Sequence, residues 1–339
     1  MLALEWPAVD GHSGGVGRYS YRLAEQLRDE FQLTVVTGPN PRPLDGVALV
    51  SSGSLRGRVN RYYVAPIRVA NVVKQLNPDV IISHGDDWSI PERTPLIRIF
   101  HGSALREAQS SSGIRALNHY VLSALESWSA RKSSYRIAVG LESLNLFSCD
   151  QIIPPFWPVD CETGSKSSGP SAVFVGSFHG RKRGHLAQEA WSGVRKRWPD
   201  AQLTVFGPAE DKAYWEPWVT HVSGAPDHQV QRVMGESWIL LAPSSYEGFG
   251  IPSAEALCAG TAVLATPNPG ATFIAEQLAF PKALIIKPDQ DYRESLVRFI
   301  EEAAVAGLPA VESGRFADTF RRMGDAKQLV PIIHNSVHA

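Results

Sequence analysis

Two carboxylates, Glu247 and Glu255, stand with seven residues between them in the stretch PSSYEGFGIPSAEALCAGTAVLAT, residues 243–266. Between them lies Gly248-Phe249-Gly250-Ile251-Pro252, directly after an apolar run and before a helical pattern. Pro252 suits the first position of a helix, where a missing N–H costs nothing, and Gly260 suits its end. The N–H groups of Phe249, Gly250 and Ile251 then point out of a helix start, which attracts an anion such as a pyrophosphate. Glu247, in the loop, is placed for sugar hydroxyls. Glu255, one turn inside the helix, can accept hydrogen bonds from two vicinal ribose hydroxyls. Taken singly, Glu255 also reads as a complement to the helix dipole, and the glycines as a tight turn.

A second cluster is VGSFHGRKRG, residues 175–184, again after a strand-like run and before a helix. Adjacent cations at a strand end, Arg181 and Lys182, can neutralise the charge that develops on a departing nucleoside diphosphate. Arg183 leaves the register open, since Lys182 and Arg183 are interchangeable on sequence alone; a solvated basic turn is the plainer alternative. A third candidate is GHSGGVG, residues 11–17, where Gly14 and Gly15 let a ligand approach a helix start. It is not a GxGxxG fingerprint. A fourth is His101, just beyond the run IRIF. His84 holds a similar place and reads as structural. Asp86-Asp87 and Asp289/Asp291 fit polar loops better than a metal site. The chain carries no GxSxG, HExxH or GxxxxGK[ST].

The elements that must hold these residues follow one rhythm: short apolar run, turn, amphipathic helix. Strands are predicted at residues 31–37, 80–84, 97–100 and 137–139, after a first strand at the N-terminus, and then at 172–176, 203–207, 238–242, 262–266 and 284–287. Val16, Tyr19, Leu23, Ala24 and Leu27 share one helical face, as do Val69, Val72, Val73 and Leu76. Strands alternating with helices imply parallel sheets covered on both faces, here as two doubly wound α/β domains. The 339 residues suit two such domains. We expect one at residues 1–160, a linker at 161–171 (CETGSKSSGPS), a second domain at 172–311, and a helical segment at 312–339 that packs back toward the first domain.

Hydrophobic residues make up 44% and charged residues 20%, with a net charge of −1, which argues against a dedicated nucleic-acid binder. Three widely spaced cysteines form no CxxC pair and suit a reduced, cytoplasmic compartment. The opening MLALEWP reads as a strand rather than a signal peptide, and no apolar run is long enough to span a membrane. Any membrane contact is therefore expected to be peripheral, at the inner face.

With these motifs in place, the chain resembles glycosyltransferase family 4, retaining enzymes of the GT-B fold with two Rossmann-like domains facing across a cleft. The likeness rests on the E-x7-E block Glu247…Glu255 within YEGFGIPSAEALCAG. It rests also on Gly176…Gly180-Arg181-Lys182, which matches the family's G-x-x-x-P-R-K with Gly for Pro, and on the pair Gly14-Gly15. The resemblance implies that Glu247 lies beside the transferred sugar, Glu255 binds the ribose, Arg181 and Lys182 stabilise the diphosphate, Gly14-Gly15 touch donor and acceptor, and His101 sits near the donor sugar. It implies a UDP- or GDP-sugar donor, a saccharide or lipid-linked acceptor, no further cofactor and metal-independent front-side transfer. Residues 153–160 read IPPFWPVD where the family has a form like I-P-N-G-V-D, so sugar preference is expected to be unusual. Acceptor choice is expected to lie in the first domain; residues 114–135, where Arg115, His119, Arg131 and Lys132 flank an apolar face, read either as an ordinary surface helix, the plainer alternative, or as a contact for a membrane-surface or polymeric acceptor. The rival readings are a sugar-nucleotide 2-epimerase on the same fold, which acts without an acceptor, and a catalytically idle sugar-nucleotide-binding protein.

Overall fold

A computed structural model describes residues 1–9, 14–109, 113–154 and 163–338. The chain divides into two compact units, Met1–Pro155 with Met323–Ala339, and Phe156–Arg322. In the first unit, strands β1 (Leu2–Ala3), β2 (Leu33–Thr37), β3 (Val47–Ser51), β4 (Ile81–Ser83), β5 (Leu96–Phe100), β6 (Tyr135–Ala138) and β7 (Gln151–Ile152) form one sheet. Its order is β3-β2-β1-β4-β5-β6-β7, and every pairing is parallel. Parallel neighbours require long crossovers, supplied by helices such as Gly15–Leu27, Ala65–Leu76 and Gly113–Lys132. Helix Gly15–Leu27 buries Tyr19, Leu23, Ala24 and Leu27, the face its spacing predicts.

The second unit repeats the plan with β8 (Ser171–Val175), β9 (Gln202–Phe206), β10 (Val219–Val222), β11 (Ile239–Ala242), β12 (Ala262–Ala265) and β13 (Leu284–Ile286). Its all-parallel order is β10-β9-β8-β11-β12-β13. One sheet face packs Phe174 and Leu241 against Trp191, Val194, Tyr292 and Leu296 of the covering helices. In each sheet the winding reverses at the centre, between β1 and β4 and between β8 and β11. Strand ends at such a reversal splay apart and leave a crevice for a ligand.

Three strands were missing from the sequence expectation: β3, β7 and β10. Each is an edge strand of its sheet, and β3 and β10 are only partly buried. The expected linker also differs. Its residues 163–170 lie along the second unit, where Lys166 Nζ donates to Ser237 O (2.8 Å) and Thr261 Oγ1 (2.6 Å). The Ser167 N–H donates to Glu236 O, and Trp238 Nε1 to Ser167 O, both at 2.9 Å. Its Ser-rich composition serves hydrogen bonding to a partner surface; residues 155–162 lie outside the described residues. The expected C-terminal segment divides as well. Helix Ser313–Met323 runs with the second unit as far as Arg322, with Phe316 and Phe320 buried and the Phe320 ring 5.8 Å from Phe249. Helix Leu329–His338 belongs to the first unit, with His334 against Phe31 at 5.3 Å.

The loop that follows β11 is held by the start of helix Pro269–Gln277. Asn268 caps that helix by accepting from the Ala271 N–H at 3.0 Å, and its amide donates to Ser244 O at 3.2 Å. Gly270 donates its N–H to Glu247 O at 2.9 Å. A Cβ on Gly270 would lie 2.6 Å from Phe249 O and 2.7 Å from Phe249 C, backbone atoms that cannot rotate away. Gly270→Ala should therefore destabilise the protein by about 1–3 kcal/mol in urea unfolding. Gly314→Ala, in helix Ser313–Met323 with nothing near its Cβ position, should be neutral or stabilising by up to ~1 kcal/mol. Equal effects for the two would contradict this account of the loop.

Candidate active site

At the reversal between β8 and β11 the structure brings together Arg181, Lys182 and Glu247. Lys182 Nζ lies 2.6 Å from Glu247 Oε1, and Arg181 Nη1 lies 2.9 Å from Oε2. Arg181 also donates to Tyr246 O at 3.1 Å. The three side chains grade outward, 13% exposed at Glu247, 20% at Lys182 and 46% at Arg181. Burial alone would raise the Glu247 pKa. The charges of Lys182 and Arg181, with hydrogen bonds from Lys182 and Ser244, outweigh it and hold the carboxyl below its ordinary value. Glu247 is thus ionised, and it fixes both cations at the strand ends.

Local backbone explains how a lysine reaches this place. Gly176 ends β8 with φ +152, and a Cβ there would lie 2.8 Å from Lys182 Cγ. The lysine stem lies over the glycine and carries its ammonium back to Glu247 at the strand ends. Arg183 resolves the register that the sequence leaves open. It adopts a left-handed φ of +54, and its guanidinium grips Asp289 at 2.6 and 3.0 Å, Thr266 Oγ1 at 3.1 Å and Pro243 O at 2.5 Å. Those bonds offset the cost of a left-handed non-glycine residue and commit Arg183 to structure. Asp289 is therefore an ion-pair partner, as are Asp86, bonded to Arg61 at 2.7 Å, and Asp87, bonded to Arg98 at 3.0 Å. Among the described residues, no group of three or more His, Cys, Asp or Glu is arranged to hold a metal ion.

The helix Ile251–Cys258 starts beside the triad. Gly250 precedes it at φ +90, and Pro252 occupies its second position, one later than the sequence suggested. The Phe249 ring is buried against Phe273 and Phe320, so this residue offers a ligand only its backbone. Glu255 is on this helix and is buried. A small recess opens here, lined by Lys182, Ser244, Glu247, Gly250, Ser253 and Asn268 among others. Ser244, Asn268 and Gly270 escaped the sequence reading. The only signal for the last two is the NPG turn after β12.

The remaining candidates belong to the first unit. Gly14 precedes helix Gly15–Leu27 in extended conformation, and a Cβ there would meet only Glu5 Oε2, at 3.8 Å. Its own chain thus imposes no demand for glycine; residues 10–13 of that loop lie outside the described residues. His101 follows β5 and pairs with His84, Nε2 to Nδ1 at 2.9 Å, and the Tyr19 ring meets both edge-on. Burial and then the Arg98 charge lower the His101 pKa to about 3, and burial, His101 and Arg98 push His84 well down too. Two corrections concern helix Gly113–Lys132. His119 is buried, 3.5 Å from Glu107, and Lys132 Nζ donates to the carbonyls of Asp87, Trp88 and Ile90 at 2.7–2.8 Å. Both hold the fold together and offer an acceptor nothing.

Comparison with known proteins agrees with this geometry. Residues 160–306 match the family model for Glycosyl transferases group 1, and residues 13–146 match that for Glycosyltransferase Family 4. No curated protein matches the chain. Among solved structures, WaaG, a glycosyltransferase involved in lipopolysaccharide biosynthesis, superposes with TM-score 0.69 at 18% identity, over 98% of this chain and 97% of its own. Sucrose-phosphate synthase from Thermosynechococcus elongatus gives 0.75 at 16%, over 95% and 94%. Anabaena HepE, solved with UDP and glucose, gives 0.68 at 14%, over 100% and 99%. The chain is a glycosyltransferase built on the GT-B fold, with two parallel-sheet Rossmann-like domains. Within that class it is similar to family 4.

The histidine pair yields a test. A folded-state pKa below the unfolded value near 6.5 means that the unfolded chain takes up protons first as pH falls. Stability should then drop between pH 6.5 and about 3. Proton NMR should show neither His84 nor His101 titrating between pH 8 and 5, and His101→Asn should flatten the stability–pH slope over the acid range. A His101 midpoint near 6.5 would contradict the buried pair.

Proposed function

We propose that this glycosyltransferase moves a sugar from a nucleoside-diphosphate sugar, of the UDP or GDP type, to a hydroxyl of a saccharide or lipid-linked acceptor, with retention and without a metal. The observation that carries the reading is the Arg181–Glu247–Lys182 triad beside the start of helix Ile251–Cys258, at the reversal point of the second sheet. Two cations and one carboxylate leave a net positive charge where a diphosphate would depart. Arg181 and Lys182 meet that charge, and the backbone N–H groups of Gly248, Phe249, Gly250 and Ile251 extend the same field. Glu255 accepts the ribose hydroxyls, and Glu247 those of the sugar. In the first unit, Gly14 and Gly15 give a ligand room at a helix start, and His101, as a neutral imidazole, offers a hydrogen bond to the sugar.

In the proposed step the bond between the anomeric carbon and the phosphate oxygen breaks. The acceptor oxygen bonds to that carbon on the same face, and the leaving phosphate oxygen takes the acceptor's proton. The products are the glycoside of unchanged anomeric configuration and the nucleoside diphosphate. No protein base is required, and the enzyme's share is electrostatic. Cys149, a thiol whose pKa burial raises to about 12, supports a reduced, cytoplasmic setting.

Thermal-shift screening against UDP-, GDP- and ADP-sugars identifies the donor, and NMR of the product's anomeric proton reads the stereochemistry; an inverted product would end the retaining reading. Lys182→Ala should lower kcat by about 10²–10³-fold with an unchanged circular dichroism spectrum, and turnover like that of the parent would remove Lys182 from the site. Glu255→Ala should weaken donor binding by roughly tenfold or more, as for a lost charged hydrogen bond of about 1.5–3 kcal/mol. Unchanged donor affinity by calorimetry would count against the ribose contact.

A further inference from the structure

Helix Gly113–Lys132 leaves an apolar stripe uncovered. Ile114, Leu117, Val121 and Trp128 succeed one another at steps of three, four and seven residues, with Tyr120 beside them, and each is 45–82% exposed. Single exposed apolar residues are ordinary, but a stripe of five large ones along one helix is not. A second helix joins it: Tyr63 Oη donates to Asn118 Oδ1 at 2.9 Å. Val64, which with Tyr63 belongs to the helical turn Asn60–Val64, and Ile67, on the helix Ala65–Leu76 that continues it, are 43% and 51% exposed.

The charge around these stripes is one-sided. No Asp or Glu occurs between Asp45 and Asp79, a stretch that holds five cations. Two of them turn inward, Arg61 to Asp86 and Arg68 to Ser54 O. Arg56, Arg58 and Lys74 remain exposed. On helix Gly113–Lys132 the one acid, Glu126, accepts from the Ala104 N–H at 3.0 Å, and the nearby Glu107 is turned to His119 at 3.5 Å. Arg115 and Arg131, at opposite ends of that helix, are exposed. In a chain of net charge −1, this face is apolar with basic flanks.

We infer that the face made by helices Ala65–Leu76 and Gly113–Lys132 docks on an anionic lipid surface. Hydrocarbon accommodates the stripes, headgroups meet the arginines, and the amphipathic Tyr120 and Trp128 suit the boundary between the two. A second copy of the same face is a poor occupant, because two-fold pairing would bring like charges together. The inference rests on the uncovered face alone and stands apart from the donor chemistry. The docked face would keep the first unit at a surface where a lipid-linked acceptor resides.

The test is co-sedimentation of the full chain with vesicles of phosphatidylcholine alone or with roughly 30% phosphatidylglycerol. Binding should require the anionic lipid and weaken as salt is raised. The exposed-site double variant Leu117→Glu/Trp128→Glu should lower vesicle binding at least about tenfold, and Arg115→Glu/Arg131→Glu should lower it too. Both should keep the parent melting temperature and donor affinity, so a failure here is distinguishable from a failure of the donor reading. Binding equally well to phosphatidylcholine alone, no binding to either vesicle, or a solution dimer abolished by the same substitutions would overturn the inference.

Discussion

The second unit is organised around one electrostatic constraint: two mutually repelling cations must be held side by side at the strand ends of one sheet. Glu247 meets it by binding both, and nearly every special feature nearby exists to let it do so. Gly176 clears room for the Lys182 stem, Gly270 lets helix Pro269–Gln277 come against the loop, and Asn268 ties that helix to Ser244. Arg183 anchors the turn from the other side through Asp289. A carboxylate this enclosed would ordinarily resist ionisation. It stays charged because the Lys182 and Arg181 charges, with hydrogen bonds from Lys182 and Ser244, outweigh the cost of burial.

The first unit answers a comparable geometric problem with different chemistry. Its sheet also reverses at the centre, yet the groups beyond β4 and β5 are two imidazoles kept neutral by burial and by Arg98. Arg98 is in turn neutralised by Asp87, which Ser129 Oγ bonds at 2.6 Å. Enclosed charge is paired here as well, but the pair is structural and the two imidazoles carry no charge. The second unit thus holds paired cations at its strand ends where the first holds a neutral, hydrogen-bonding histidine pair.

Much of this was legible in the sequence, for identifiable reasons. Strands buried on both faces, such as residues 172–176 and 238–242, are continuous apolar runs, and helix Gly15–Leu27 keeps a strict buried face. Glu247, Arg181 and Lys182 are recognisable because the string around them is long and follows strands. What escaped depends on tertiary contacts. Edge strands such as β10 (VTHV) are too short to show a period. The serines of residues 163–171 look flexible until a partner surface absorbs their hydrogen bonds. Arg183 and Lys182 are indistinguishable until a left-handed backbone turns one toward Asp289 and the other toward Glu247. On helix Gly113–Lys132, four polar residues looked alike, yet His119 and Lys132 turn inward while Arg115 and Arg131 do not.

The balance within the triad also bears on turnover. Two bare cations would grip a diphosphate tightly before and after reaction alike, which aids binding and delays release. Binding that is uniform across ground state, transition state and product gives no acceleration of the chemical step. With Glu247 already satisfying one contact of each cation, the site holds a single net positive charge, whose attraction would grow, in the proposed step, as negative charge moves onto the leaving oxygen. Arg181, the most exposed of the three, is the member freest to shift from the carboxylate toward that oxygen. On the proposed mechanism the carboxylate would therefore do more than orient its neighbours: it would reserve part of their attraction for the moment when the bond breaks and draw them back once the nucleotide leaves.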